Sequence, residues 1–274
     1  MKKLVTAACA LVAASAFAVE SANVVGFTTK TLAAGQYGLA AVQFQTTDSQ
    51  TANLQDLISC SVAINSYDEQ ENFHNDWYQS AAQIQIREGN GWAQYYYCAD
   101  AYLAANGTED WVPGWANSGA TYVQNRTIAP GTGIWFIGPS GSSADFTVAG
   151  QVVGTATANL TTVAGYNLVA NPFPEGFNLN TDKIAWGFSP VASYDANEVF
   201  HNDWYQSAPQ IQIREGNGWA QYYYCADAYL AVNGTEDWVP GWANSGATYV
   251  QNRTINVGDG FWVIDGAGTT VVTK

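Results

Sequence analysis

Residues His74 to Ile128 return as His201 to Ile255 with 53 of 55 positions unchanged, the exceptions being Ala82/Pro209 and Ala105/Val232. A duplication of that length constrains the fold more than any local motif, because whatever the block becomes must be built twice. Weaker correspondence continues on both sides. Val24-Val25-Gly26 matches Val152-Val153-Gly154, Gln36-Tyr37-Gly38-Leu39 matches Gly165-Tyr166-Asn167-Leu168, and Gly131-Thr-Gly133-Ile-Trp135 matches Gly258-Asp-Gly260-Phe-Trp262. The period stays near 128 residues. Two homologous domains are therefore expected, residues 19–150 and 151–274, with almost no linker.

Within each unit, short β-branched and aromatic runs are punctuated by Gly, Asn and Pro, and no long window keeps a helical apolar period. The pattern predicts an all-β protein, a sandwich or small barrel per unit. Expected strands are Asn23 to Thr28, Gly38 to Phe44, Ala63 to Tyr67, Gln83 to Glu88, Trp92 to Ala99, Tyr122 to Ile128, Ile134 to Ile137 and Phe146 to Val153, with one helical turn at Leu54 to Ser59. Asn90-Gly91 suits a two-residue hairpin turn. That register pairs Gly89 with Trp92, Ile86 with Tyr95 and Ile84 with Tyr97. The apolar side chains then share one face, and Gln83, Gln85, Arg87, Gln94, Tyr96 and Cys98 take the other.

Lys2 and Lys3, the apolar run Leu4 to Phe17 and the Ala16-Phe17-Ala18 ending have the layout of a secretory signal, residues 1–18. The run is shorter than the roughly 20 residues of a membrane helix. Export is expected, to the medium or the cell surface. Without the leader, seven basic residues face 23 acidic ones, a balance of -16, which disfavours nucleic acid and anionic lipid as partners. The three remaining cysteines, Cys60, Cys98 and Cys225, suggest one disulfide and one free thiol. Cys98 with Cys225 is one candidate pair, since they are equivalent in the repeat; Cys60 with Cys98 is the other.

His74-Asn75-Asp76 and His201-Asn202-Asp203 place an imidazole near a carboxylate. No further histidine and no nucleophile motif accompany them, so a loop role outweighs a hydrolase centred on them. Asp100, Glu109 and Asp110, with Asp227, Glu236 and Asp237, lack the alternation of a calcium loop. No catalytic residue, metal or cofactor is expected. Aromatic density is the stronger hint, because flat rings beside amides and carboxylates suit a sugar's apolar face and hydroxyl rim. The candidate ligand-binding residues are Trp111, Trp115 and Tyr96, with Trp238, Trp242 and Tyr223 as their copies.

Glu20-Ser21-Ala22-Asn23-Val24-Val25-Gly26, then Gly165-Tyr166-Asn167-Leu168-Val169-Ala170-Asn171-Pro172, and Ile255-x-x-Gly258-x-Gly260-Phe261-Trp262 resemble a multi-copy group of exported bacterial two-repeat β proteins. The first half departs at the second motif, reading Gln36-Tyr37-Gly38-Leu39-Ala40-Ala41. The resemblance implies a secreted or surface protein with no assigned enzymatic activity and no catalytic residues to carry over. The expected function is a structural or adhesive role at the cell surface or in the extracellular matrix. Its partners would be polysaccharide, other surface proteins or further copies of itself. A carbohydrate-binding module duplicated in both repeats is the alternative.

Overall fold

The computed structural model describes residues 25–45, 52–89, 91–105, 108–152, 162–173, 175–182, 187–216, 218–232 and 235–265. The expected leader lies outside them. Among the described residues no helix is long and apolar enough to cross a membrane. The first half runs β1 (Val25–Leu32), β2 (Tyr37–Val42), β3 (Phe44–Gln45), β4 (Ala52–Asn53), α1 (Leu54–Leu57), β5 (Ile58–Cys60), β6 (Gln83–Glu88), β7 (Gly91–Ala105), β8 (Thr108–Ala116), β9 (Thr127–Ile128), β10 (Thr132–Ile137) and β11 (Ala144–Val152). The second runs β12 (Gly165–Ala170), β13 (Phe177–Asn178), β14 (Gln210–Glu215), β15 (Gly218–Val232), β16 (Thr235–Ala243), β17 (Thr254–Ile255) and β18 (Gly260–Asp265). The chain is all-β, as its punctuated apolar runs predict.

In the first half β2 and β6 flank β10, and β7 and β8 follow outward; in the second, β12 and β14 flank β18, and β15 and β16 follow. The two arrays join through Thr132 and Val169 into one ten-stranded antiparallel sheet. The sheet therefore does not stop at the boundary between the repeats, and β11 itself runs through residues 150 and 151. A second layer, β1-β11 with β3 and β5, covers one face of the first half. Between the layers Ile84, Ile86, Ile134 and Phe136 meet Leu57, Ile58, Phe146 and Val148 in one buried cluster. Its counterpart gathers Ile211, Ile213, Phe261 and Val263 against Phe173, Phe177 and Leu179.

The β6-β7 hairpin corrects the expected register. Glu88 pairs with Gly91, Arg87 with Trp92, Ile86 with Ala93 and Ile84 with Tyr95. Gly89, at φ 53°, takes the left-handed position of the connection. Arg87 then lies over the Trp92 ring, 5.4 Å from its centroid, a contact absent from the expected pairing. The slip is an even number of residues, so each side chain keeps its face.

The segment Thr108–Ala116, outside every expected strand, is the edge strand β8. Pro113 fits there because an outermost strand has no neighbour awaiting its missing N–H, and the bulge between Cys98 and Ala101 lies opposite it. Ala63 to Tyr67 forms only isolated bridges, and Tyr122 to Ile128 shortens to β9. The helical turn expected near Leu54 is present, with the Asn53 side chain accepting from the Gln55 N–H.

The seam between the halves is reciprocal. Ala41 N donates to Gly258 O (3.1 Å), and the equivalent Ala170 N donates to Gly131 O (2.9 Å). A Cβ at Gly133 would sit 2.7 Å from both Val169 O and Leu168 Cγ; one at Gly260 would sit 2.9 Å from Ala40 O. Replacing either glycine by alanine is expected to destabilise by about 1–3 kcal/mol through backbone displacement. Gly141→Ala, whose Cβ meets nothing within 4 Å, should lie close to wild type. Urea unfolding of the three variants measures this.

Candidate functional site

Because cross-strand partners share a face, the sheet surface opposite the cores can be read from the register. Trp135 aligns with Gln85 on β6 and Gln85 with Gln94 on β7; the next row holds Arg87 and Trp92. The second half repeats this as Trp262, Gln212, Gln221, Arg214 and Trp219. The two rows meet across the seam, Trp92 against Trp262 (6.0 Å, 88°) and Trp135 against Trp219 (6.2 Å, 82°). Tyr166 continues the first ladder at 6.1 Å from Trp262 and Tyr37 the second at 6.2 Å from Trp135, with Arg87 and Arg214 capping the other ends. Tyr37 and Tyr166 are 59% and 61% exposed. Each ladder takes residues from both halves, so neither exists in one repeat alone.

Beside the Tyr37 end of the second ladder lies a groove of about 380 Å³, lined by Tyr37, Tyr78, Tyr96, Gln83, Gln85 and Gln94 among others. Among the described residues no charged side chain lines it, on a chain with a formal charge of -14. Tyr96 donates its hydroxyl to Gln94 Oε1 at 2.9 Å, which orients that amide; Tyr223 and Gln221 do the same at 2.8 Å. A second groove of about 420 Å³ follows the seam between Arg87 and Tyr166, past Pro130, Thr132, Val163 and Leu168. In the first groove, flat rings, oriented amides and an uncharged lining favour a neutral polyhydroxylated ligand.

The six residues singled out from the sequence do not form one site. Trp115 and Trp242 are fully buried. Trp115 Nε1 donates to Ile58 O (2.7 Å), and the Gln55 side chain bonds both its N–H and its C=O; Asn180 serves Trp242 in the same way. Both are core residues, contrary to expectation, because Gln55 of α1, and Asn180 just after β13, clamp the end of the edge strand over the core. Tyr96 and Tyr223 are buried, and Tyr96 borders the first groove. Trp111 and Trp238 are 49% exposed, but in a separate cluster. There Trp111 meets Tyr67 (4.9 Å) and Tyr102 (5.3 Å), and Trp238 meets Tyr194 (5.0 Å) and Tyr229 (5.2 Å).

The expected disulfide is also absent, since Cys60, Cys98 and Cys225 are all free and buried. Cys98 and Cys225 belong to separate equivalent clusters, around Trp77 with Ala101 and around Trp204 with Ala228. Residues 64–81 and 116–122 fold over the face where Cys98 was expected to be accessible, so neither water nor its twin reaches it. Its thiol instead donates to Asp100 Oδ1 (3.1 Å), which also accepts from Ser66 N (2.7 Å) and Ser66 Oγ (2.8 Å); Asp100 Oδ2 accepts from Tyr67 N (3.1 Å). Burial, reinforced by the Asp100 carboxylate, pushes the Cys98 thiol up to about 11. Burial also opposes ionisation of Asp100, but its hydrogen bonds outweigh that and hold the carboxyl below its usual range. Asp227 is held in the same way.

His74 Nε2 lies 3.8 Å from Asp68, and His201 Nε2 lies 3.7 Å from Asp195, so each imidazole pairs outside its own His-Asn-Asp triplet. Among the described residues no three His, Cys, Asp or Glu side chains group as metal ligands. No known protein family, curated protein or solved structure matches the chain.

Protein lacking residues 1–18, and with them Cys9, is expected at pH 8 to resist alkylation at Cys60, Cys98 and Cys225 and to release all three thiols in denaturant; a thiol count of one after unfolding would reveal a disulfide. Asp100 and Asp227 ionise more readily folded than unfolded, so their contribution is complete above the ordinary carboxylate pKa and drains away as pH falls through the lowered value. Asp100→Asn with Asp227→Asn should cost roughly 1–3 kcal/mol per site at neutral pH and flatten the loss of stability below about pH 4. Thermal unfolding across pH 2 to 7 measures both effects.

Proposed function

We propose that the chain is an exported, non-enzymatic adhesive protein that binds neutral polysaccharide on the open face of its ten-stranded sheet. The observation that carries this reading is the uncharged groove of Tyr37, Tyr78 and Tyr96 with Gln83, Gln85 and Gln94, set beside a Trp-Trp-Tyr ladder. Sugar rings stack on aromatic faces, and hydroxyl groups need donors and acceptors that carry no net charge. The second half holds Tyr166, Gln210, Gln212, Gln221 and Tyr223 at the equivalent places, which gives one chain two sites and raises its avidity for a polymer. The resemblance to exported two-repeat proteins supports the same location, outside the cell.

Co-sedimentation with insoluble neutral polysaccharides tests the proposal. Saturable binding is expected, weakened roughly tenfold or more in Tyr37→Ala/Tyr166→Ala. Trp111→Ala/Trp238→Ala should bind like wild type, because those rings lie in the other cluster. Failure to bind across a broad neutral panel would overturn the reading.

A further inference from the structure

The Trp238 cluster carries a different chemistry from the sheet face. Tyr194, Trp238, Glu198 and Asp227 enclose a pocket of about 410 Å³. The two rings stand at 79° to each other with centroids 5.0 Å apart, so they form a corner, and Glu198 and Asp227 line the pocket with them. Tyr67 and Trp111 form the same corner in the first half, at 77° and 4.9 Å, and Glu71 and Asp100 stand at the positions equivalent to Glu198 and Asp227.

The charge around this corner is one-sided. Asp227 is ionised and held in place by bonds from Ser193 and Tyr194. Of the five Lys and Arg side chains described, none lines the pocket. Lys30 bonds Leu39 O, Arg126 and Arg253 pair with Glu88 and Glu215, and Arg87 and Arg214 lie over tryptophans of the sheet face.

The flank before the identical block has diverged at Glu69/Ala196, Gln70/Asn197 and Asn72/Val199, yet Tyr67/Tyr194 and Glu71/Glu198 agree. Both glutamates occupy φ 61°, a left-handed position that glycine or asparagine would fill at less cost.

We propose that each of these corners binds an alkylated ammonium group, of the kind a quaternary ammonium ligand presents. A ring face attracts a cation through its quadrupole, while the N-methyl shell is apolar enough to pack on indole and phenol. The carboxylates of Glu198 and Asp227 supply the opposite charge. Inorganic cations fit less well, since they need several oxygen ligands and gain little from the rings. This site goes beyond the glycan proposal and does not depend on it.

Isothermal titration of the full chain with choline, and separately with 3,3-dimethylbutan-1-ol, its uncharged carbon isostere, tests the assignment in low salt. Choline should bind at two sites per chain, at least about tenfold more tightly than the isostere. Trp238→Ala should leave one site, and Trp111→Ala/Trp238→Ala none. Glu198→Gln, an exposed change that keeps the shape of the side chain, should weaken the second-half site several-fold without altering the fold. Equal binding of choline and its isostere would show a merely apolar crevice and overturn the proposal. So would choline binding that survives the double tryptophan variant, or no choline binding at all. The glycan proposal is untouched by any of these results, because its grooves lie on the sheet face.

Discussion

Gly131 and Gly258 each offer a carbonyl to the N–H of the other half, and Gly133 and Gly260 let the two backbones come within van der Waals range. This reciprocal seam is an internal version of a two-fold interface, in which residue i of one unit meets residue j of the other and j meets i. It explains the two glycines of the Ile-x-x-Gly-x-Gly-Phe-Trp motif by different mechanisms. The first takes a left-handed φ, 88° or 84°, and the second leaves room for the neighbouring strand. The two strand arrays thereby share one ten-stranded sheet.

The seam also composes the functional surface. Without it, Trp92 would keep only Arg87 and Trp135 only Tyr37 in these rows; with it, each finds a tryptophan of the other half. The opposite face is consumed by the cores, and its tryptophans, Trp115 and Trp242, are locked by side-chain amides. Rings equally abundant in the sequence therefore divide into three populations: core, sheet face and edge corner. Self-association through the sheet edges is opposed by the edge strands themselves, where Glu109, Asp110 and Pro113 and their copies interrupt any continuous ladder.

What the sequence made legible follows from what local physics decides. Alternation of Ile84 and Ile86 with Gln83 and Gln85 assigned the strand faces correctly, since a two-residue period survives an even error in register. The register itself was misjudged because Asn90-Gly91 is a strong turn signal, yet Gly89 and the Arg87-Trp92 contact place the turn one residue earlier. Thr108–Ala116 was missed as a strand because proline argues against one unless its edge position is known. Burial of Cys98 and Trp115 was hidden for a similar reason, since the covering residues are distant in the chain. The ladders were beyond reach because each joins residues of different repeats; the only signal was Trp135 and Trp262 recurring two residues after a close-approach glycine. The asparagines of Gly-Tyr-Asn-Leu-Val-Ala-Asn-Pro are structural, Asn167 bonding Val163 on both sides of its amide and Asn171 bonding Phe173 and Glu175. In the first half Gly38 replaces the former, where Leu32 and Lys30 occupy the space.

The most direct test of the seam and of the surface it builds is a double-mutant cycle on Trp92 and Trp262, read by urea unfolding. Trp92→Ala, Trp262→Ala and the double variant are compared with wild type. A coupling energy of about 0.5–1.5 kcal/mol between these two residues, one from each repeat, is the predicted result. Additive costs, with coupling indistinguishable from zero, would mean that the rings do not meet and that the halves do not share one face.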